Sequence, residues 1–275
     1  MDILFTLNKK YKDLLLTCLL SIAEHHQTTN VTFHIVSNDI KDTDISYIKK
    51  YIPSQYEFKY YNYRNHFLDN AKTTYRYPQE IYYRLFVQCY LKNDIKRILY
   101  LDVDTIIIKN LKDFYEQSFG DSFFIGATNI KKALTTFNNV KNKAKRDSHY
   151  LNTGVLLINV EMLREKQSID ELNQYIVKNE KRLFLPDQDV LNALYGHNVK
   201  LVNHLKYNLS DRAITKYNLM KLVSKIDLDW VNENAYVIHY YGKNKPWLPD
   251  YKGILKDYYL KYDQLLKSIQ IREQI

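Results

Sequence analysis

The sequence has very few cysteines and no apolar run long enough to cross a bilayer. Only two cysteines occur in 275 residues, and neither Cys18 nor Cys89 has a partner at metal-ligand or redox spacing. This pattern excludes a disulfide framework and predicts two buried thiols in a reducing compartment, the cytoplasm. Residues 14–23 follow three lysines and resemble a signal peptide, but no small-residue cleavage site follows them. We therefore predict a buried helix there.

The chain also lacks any RNA- or DNA-binding signature, although its formal net charge is +9. Such a charge favours an anionic partner, which could be nucleic acid, an anionic lipid surface or a diphosphate substrate. Because the lysines are interspersed with Asp and Glu, we expect no nucleic-acid binding. A length of 275 residues with 45% hydrophobic content suits one large α/β domain, or one domain with a modest appendage.

Short apolar strands alternate with helices in the first part of the chain. We predict strands over residues 3–6, 31–36 and 56–61, and helices over residues 11–25 and 44–51. This alternation predicts a parallel, doubly wound sheet whose ligand lies beyond the carboxyl ends of the strands. Thr6 ends the first strand and Asn8 and Lys10 follow it, so we expect them to meet a nucleotide.

Two aspartates lie within the most apolar stretch of the chain. Residues 97–108 predict a strand buried on both faces, on which Asp102 and Asp104 point to the same side. Two such carboxylates repel each other and lose hydration, a cost that a divalent cation would offset. Oxygen ligands favour Mg²⁺ or Mn²⁺ that shares its shell with substrate phosphates. The alternative is a solvated turn in which both carboxylates face water.

Two further segments combine polar residues with apolar runs. Arg84 lies on a helix predicted over residues 78–91, where a lone arginine is usually a surface ion-pair partner. Asn152 and Gly154 precede a predicted buried strand, where an amide side chain and a bare backbone position could meet a sugar hydroxyl. An ordinary turn before a core strand is the alternative for that segment.

The segments nearer the C-terminus are also chemically mixed. Asp187 and Gln188 lie in the first turn of a predicted helix, where helix capping alone would account for them. His239 ends a predicted strand at the same edge of the sheet, and a neutral imidazole is a good ligand for Mn²⁺. Gly242 would let the backbone approach a phosphate, and Lys245 would place a point charge beside it.

Five of these segments together resemble glycosyltransferase family 8. They are Tyr-Tyr-Arg-Leu at 82–85, Leu-Asp-Val-Asp at 101–104, Asn-x-Gly at 152–154, Asp-Gln-Asp at 187–189 and His-x-x-Gly-x-x-Lys-Pro-Trp at 239–247. The resemblance implies a GT-A fold, which is a Rossmann-like nucleotide-sugar-binding α/β fold with a mixed, mainly parallel central sheet. It further implies a retaining enzyme that uses Mn²⁺ (or Mg²⁺) and UDP-glucose or UDP-galactose.

The resemblance also implies a role for each segment. Metal binding would fall to Asp102, Asp104 and His239. Binding of the nucleotide sugar would involve Thr6, Asn8, Arg84, Asp102, Val103, Asp104, Asn152, Gly154, Gly242 and Lys245. Catalysis would involve Asp187, which holds the donor sugar, Gln188 near the anomeric carbon, and Lys245 at the departing diphosphate. Asn8 stands where the family usually has an aspartate. We expect four aspartates to converge on one crevice: Asp102, Asp104, Asp187 and Asp189.

The acceptor and the domain limits are less defined by the sequence. We predict a catalytic domain over residues 1–250 and a basic amphipathic helix over 251–275, packed on it or at a membrane surface. The acceptor would bear carbohydrate, as a glycan, glycolipid or glycoprotein, and the loops 129–150 and 203–231 would choose it. Two alternatives stay open: a phosphohydrolase of the haloacid-dehalogenase type, whose first motif also has two aspartates, and a non-catalytic carbohydrate-binding protein.

Overall fold

The structure is a computed structural model that describes residues 1–71, 73, 78–128, 141, 144, 148–220 and 224–272. The strands are β1 (Asp2–Thr6), β2 (Thr32–Ser37), β3 (Glu57–Asn62), β4 (Arg97–Leu101), β5 (Thr105–Ile107), β6 (Phe124–Ala127), β7 (Val155–Asn159), β8 (Val199–Val202) and β9 (Val237–His239). The first helices are α1 (Lys12–His25), α2 (Asp42–Lys50), α3 (Val87–Tyr90) and α4 (Lys112–Tyr115). The later helices are α5 (Val160–Lys166), α6 (Ile169–Asn179), α7 (Pro186–Tyr195), α8 (His204–Tyr207), α9 (Asp211–Met220), α10 (Leu228–Asn234) and α11 (Lys256–Arg272). Short 3₁₀ helices cover Lys9–Tyr11, His66–Asn70, Gln79–Phe86 and Glu180–Arg182.

A mixed, mainly parallel sheet forms the centre of the fold, as predicted. The strand order is β3-β2-β1-β4-β7-β6-β8, and β5 pairs with β9 in a separate two-stranded sheet. The pairs among β1 to β4 are parallel, as is β6 with β8, whereas β7 runs antiparallel to both β4 and β6. The antiparallel β7 is what makes the sheet mixed, and the alternation of strands and helices alone, which predicts a parallel sheet, does not reveal it.

Both faces of the central sheet are covered, which is why its inner strands are continuously apolar. On β4, Leu99 and Leu101 pack into one core with α1, while Ile98 and Tyr100 pack into the other core with Tyr82. This alternation follows from the period of two along a strand. The two cores hold the carboxyl ends of β1 and β4 in fixed positions at one edge of the sheet.

The predicted strand over residues 97–108 is in fact two strands in two sheets. The chain leaves the central sheet after Leu101, and Asp102 donates its N–H to the carbonyl of Gly154 at 2.8 Å. The Thr105 hydroxyl then donates to the carbonyl of Asp102 at 2.8 Å, and β5 begins there, paired with β9. Asp102 and Asp104 therefore lie in a turn rather than within a strand, and this turn carries them side by side.

Two other predicted elements differ from the structure. The helix expected over residues 78–91 is mostly a 3₁₀ helix, Gln79–Phe86, followed by the short α3. The loop expected over residues 203–231 contains α8, α9 and α10, so that prediction is wrong. The loop expected over 129–150 falls largely outside the described residues.

The final helix packs against the first one. On α11, Tyr259, Tyr262 and Leu266 are buried, and Lys261 forms an ion pair with Glu24 at 2.5 Å. None of the helices in the described residues is both long enough and apolar enough to cross a membrane.

The two cysteines are unpaired but differ in exposure. Cys18 is buried on α1, as predicted, whereas Cys89 is exposed. The prediction of a buried thiol at Cys89 is wrong because α3 turns that side chain outward.

Candidate active site

A cavity of about 910 Å³ opens where β1, β4 and β9 end. The residues to which the resemblance gives a role all line it: Thr6, Asn8, Arg84, Asp102, Val103, Asp104, Asn152, Gly154, Asp187, Gln188, His239, Gly242 and Lys245. Lys10, which was also expected to meet a nucleotide, does not line it. The position of the cavity agrees with the rule that ligands of open α/β sheets bind beyond the carboxyl ends of the strands.

Asp102, Asp104 and His239 form a cluster of potential metal ligands. The register of β5 and β9 places Thr105 opposite His239, which brings the imidazole to the aspartate turn. Its Nε2 lies 3.2 Å from Oδ1 of Asp104 and 3.5 Å from Oδ2 of Asp102. One ligand atom from each of the three residues lies within 4.8 Å of the others. His239 reaches this position on the small second sheet rather than on the central one.

The surroundings of the cluster suit a divalent cation. Nε2 of His239 is buried, and among the described residues its contacts with the two carboxylates lack hydrogen-bond geometry. A Cβ at position 154 would lie 2.1 Å from Cε1 of His239 and 2.6 Å from Oδ2 of Asp102, so only glycine is compatible there. Two carboxylates and one imidazole are a suitable ligand set for Mn²⁺ or Mg²⁺.

Arg84 connects two of the acidic residues inside the protein. Its guanidinium lies 3.0 Å from Oδ1 of Asp102 and 3.3 Å from Oδ2 of Asp187, and it also donates to the carbonyls of Ile81 and Thr153. Because Arg84 is only 4% exposed, the alternative of a surface ion-pair partner is wrong. Burial raises the pKa of Asp102, but the Arg84 charge and the adjacent His239 together lower that pKa below its ordinary value.

Lys245 compensates the charge of Asp104, as Arg84 does for Asp102. Its ammonium donates to Oδ2 of Asp104 and to the carbonyl of Tyr240. Burial opposes ionisation of Asp104, but the charges of Lys245 and His239 hold its pKa well below the usual range. Burial likewise lowers the pKa of His239, yet the neighbouring carboxylates of Asp104 and Asp102 prevail and raise it to about 9. The aspartates are therefore compensated by protein cations.

Asp187 and Asp189 have different environments, although they are two residues apart. Asp187 faces the cavity and accepts a hydrogen bond from Thr153 Oγ1 at 2.7 Å. Burial raises its pKa despite the nearby Arg84 charge. Asp189 points away and accepts hydrogen bonds from Tyr150 Oη at 2.5 Å and from the N–H of Phe184 at 2.7 Å. The prediction that Asp189 joins the crevice is wrong, because the first turn of α7 directs it into the protein.

The sequence is similar to those of known glycosyltransferases. Residues 2–250 match the model of the family described as glycosyl transferase family 8. The chain belongs to glycosyl transferase family 8. It is 28% identical over 236 residues to a lipopolysaccharide 1,2-glucosyltransferase of Escherichia coli, covering 82% of this chain and 67% of that protein. It is 27% identical over 255 residues to the lipopolysaccharide glucosyltransferase WaaO of Escherichia coli K12, covering 86% of this chain and 70% of that one.

Solved structures agree on the fold. The structure of the galactosyltransferase LgtC in complex with donor and acceptor sugar analogues superposes with a TM-score of 0.79 at 22% identity, covering 98% of this chain and 96% of LgtC. The glycosyltransferase GlyE of Streptococcus pneumoniae superposes with a TM-score of 0.71 at 18% identity, covering 99% of this chain and 63% of GlyE. This family 8 protein therefore has the GT-A fold of its structural relatives.

Several residues of this glycosyltransferase line the cavity although the sequence analysis did not single them out. The basic ones are His204, Arg212, Lys216 and Lys243. Arg212 and Lys216 are one turn apart on α9, a helical spacing that could have indicated a shared face. That signal was missed because the segment was predicted to be a loop.

Proposed function

We propose that the chain transfers glucose or galactose from a UDP-sugar to a carbohydrate-bearing acceptor, with retention at the anomeric carbon and dependence on Mn²⁺. The observation that carries this proposal is the cluster of Asp102, Asp104 and His239 at the wall of a cavity of about 910 Å³. Ligand sites commonly measure about 300–1,000 Å³. The names of the relatives as glucosyltransferases and as a galactosyltransferase support a hexose donor.

The metal ion would be bound by the three residues of the cluster. A divalent cation there would stabilise the negative charge of the departing diphosphate. Lys245 now donates to Asp104, and the same ammonium is close enough to the cluster to turn toward a phosphate oxygen. Gly242, with φ of 100°, takes a backbone conformation that other residues rarely adopt and lines the same wall.

The donor sugar would lie against Asp187 and Gln188. Arg84 and Thr153 hold Asp187 in one orientation, so its carboxylate can accept hydrogen bonds from sugar hydroxyls without first having to be ordered. Arg84 acts as a positioning residue, since its donors are already engaged by protein oxygens. Gln188 is a poor nucleophile, which favours attack of the acceptor from the face that the diphosphate leaves.

Membership in family 8 argues against the phosphohydrolase alternative. A carbohydrate-binding protein without activity would need neither the three metal ligands nor a lysine held beside them. The unpaired cysteines support the cytoplasm as the place of the reaction. Contact of the terminal helix with a membrane surface and the domain limits stay predictions.

The test is a donor screen. The protein is incubated with Mn²⁺ and a panel of nucleotide sugars, and release of UDP is measured with and without candidate acceptors. We expect release from UDP-glucose or UDP-galactose, its loss in EDTA, and its loss in Asp104→Ala. The matched control Asp113→Ala removes an exposed aspartate outside this cavity and should retain wild-type rates. Full turnover in EDTA or in Asp104→Ala would contradict the metal assignment.

A further inference from the structure

Asn208 lies behind the metal-ligand cluster and contacts its only imidazole. It is fully buried just after α8, and the next residue, Leu209, forms an isolated bridge to β9. That bridge places the Asn208 amide oxygen 2.8 Å from Nδ1 of His239. Asn208 does not itself line the cavity.

The orientation of the Asn208 amide follows from a chain of hydrogen bonds that begins at the backbone. The N–H of Gly154 can only donate, so the atom of Asn152 that it meets at 3.1 Å must be the oxygen, Oδ1. The atom of Asn208 that lies 2.8 Å from this oxygen must then be the donor Nδ2. The remaining amide atom of Asn208 is an oxygen, and it faces His239.

This chain decides where the imidazole of His239 carries its proton. An amide oxygen can only accept, so Nδ1 of His239 must hold a hydrogen. A divalent cation that binds there would displace the second proton of the imidazolium, which leaves the lone pair on Nε2, the atom near Asp102 and Asp104. Nε2 is buried, and its contacts with these two carboxylates lack hydrogen-bond geometry.

We propose that Asn208 is a positioning residue that fixes His239 as its Nδ1–H tautomer, so that the Nε2 lone pair is available to a divalent cation. The inference rests on the proposed metal site. Partners behind a ligating histidine fix its tautomer and ring orientation, and losing one commonly weakens metal affinity about 10- to 100-fold. The amide oxygen of Asn152 accepts both of these hydrogen bonds, whereas its role toward a sugar hydroxyl stays a prediction.

The first test measures Mn²⁺ affinity in the presence of UDP, from the electron paramagnetic resonance signal of free Mn²⁺. Asn208→Leu keeps the volume but removes the acceptor, and we expect about 10- to 100-fold weaker binding. Asn208→Asp still accepts from Nδ1–H but loses the donor to Asn152 Oδ1, so it should bind Mn²⁺ more tightly than Asn208→Leu does. The control Asn179→Leu, which removes a buried amide hydrogen bond to the Tyr175 carbonyl at 2.9 Å, should not change Mn²⁺ affinity.

If the role of Asn208 is merely structural, Asn208→Leu will melt at a lower temperature yet bind Mn²⁺ as the wild type does. That result would overturn this inference but not the proposed metal site. Absence of Mn²⁺ binding in the wild type would instead contradict the proposed metal site itself. A second measurement needs no variant at position 208. The protein is labelled with ¹⁵N-histidine, and its NMR spectrum is recorded with diamagnetic Mg²⁺ and UDP. The resonances that disappear in His239→Ala belong to His239, and they should show a protonated Nδ1. A proton on Nε2 would overturn the proposal.

Discussion

Gly154 leaves room beside the potential metal ligands because it has no side chain. A methyl group there would overlap His239 and Asp102. We expect Gly154→Ala to weaken Mn²⁺ binding in the presence of UDP by roughly 10- to 100-fold, the loss typical when the surroundings of a ligand are disturbed. The Mn²⁺ affinity is measured by titrating the protein with Mn²⁺ and following the electron paramagnetic resonance signal of the free ion.

The control for this substitution is Gly120→Ala, where no atom lies within 4 Å of the added Cβ. Its positive φ of 53° will cost some stability. Unaltered Mn²⁺ affinity in Gly154→Ala would show that the metal does not bind beside this glycine.

Lys245 is paired with Asp104 in the structure, and the proposal requires it at the diphosphate. Lys245→Ala should slow hexose transfer about 10²-fold or more, the order expected when one charge-stabilising donor is lost. Because the variant releases Oδ2 of Asp104, Mn²⁺ affinity should be equal to or higher than that of the wild type. The kcat and the Mn²⁺ titration are compared with those of Lys252→Ala, an exposed lysine outside the cavity. A normal kcat in Lys245→Ala would mean that this lysine has no part in transfer.

Single residues also show how far the sequence can predict a site. The spacing of Asp102 and Asp104 in an apolar stretch indicated a metal site, whereas the assignment of His239 as the third ligand rested on the resemblance to family 8. Asn208 could not be found in this way, because its contact with His239 depends on the bridge between Leu209 and β9, which the sequence does not reveal. The orientation of Asp189 was equally hidden, because it depends on the turn that enters α7.

At the scale of elements, the junction between α1 and α4 contains a buried histidine. Nε2 of His26 accepts the N–H of Leu111 at 3.2 Å, and the residue is 1% exposed. Burial, and to a smaller extent the neighbouring His25, lowers the pKa of His26 to about 4. The unfolded chain has the ordinary value of about 6.5, so it binds the proton more readily than the folded chain.

Stability should therefore fall as the pH decreases from about 6.5 to 4, and this contribution should be fully present above pH 6.5. Urea unfolding at pH 7.5 and pH 5 in wild type and His26→Gln measures it. The variant should be less stable at pH 7.5 and should show a smaller difference between the two pH values. Equal pH dependence in both proteins would show that His26 is not the group responsible.

Helices and strands were predicted well where a local pattern of apolar residues defines them. They were predicted poorly where pairing with a segment far along the chain defines them. The helix over residues 11–25 and the strands β1 to β3 follow from local patterns. The division of residues 97–108 into β4 and β5 does not, because both halves are equally apolar and the partner β9 lies far along the chain. The helices α8 to α10 were missed since their apolar faces are short.

In the molecule as a whole, the mixed central sheet, the small second sheet and the helices packed on them bring five separated segments to one cavity. The alternation of strands and helices predicted the α/β class, whereas the antiparallel β7 required knowledge of which strands are neighbours. β7 helps to position the site because the carbonyl of Gly154, directly before β7, accepts a hydrogen bond from the N–H of Asp102. The arrangement leaves Asp102, Asp104 and Asp187 close to Arg84 and Lys245, so the acids do not simply repel one another.

We propose that a metal ion and a uridine diphosphate bind together at this cluster. Asp102, Asp104 and His239 would hold the cation, phosphate oxygens would supply further ligands, and the cation would screen the diphosphate from the aspartates. A ligand at 100 times its Kd stabilises the folded state by about 2.7 kcal/mol, which raises the Tm of a chain of this size by roughly 5 °C or more.

The most direct measurement is therefore the Tm with Mn²⁺ alone, with UDP alone and with both, in wild type, Asp102→Ala and the surface control Asp113→Ala. We predict that the shift with both ligands clearly exceeds the sum of the separate shifts in wild type and in Asp113→Ala, and that Asp102→Ala loses this excess. Strictly additive shifts in the wild type would contradict a shared site for the metal and the nucleotide.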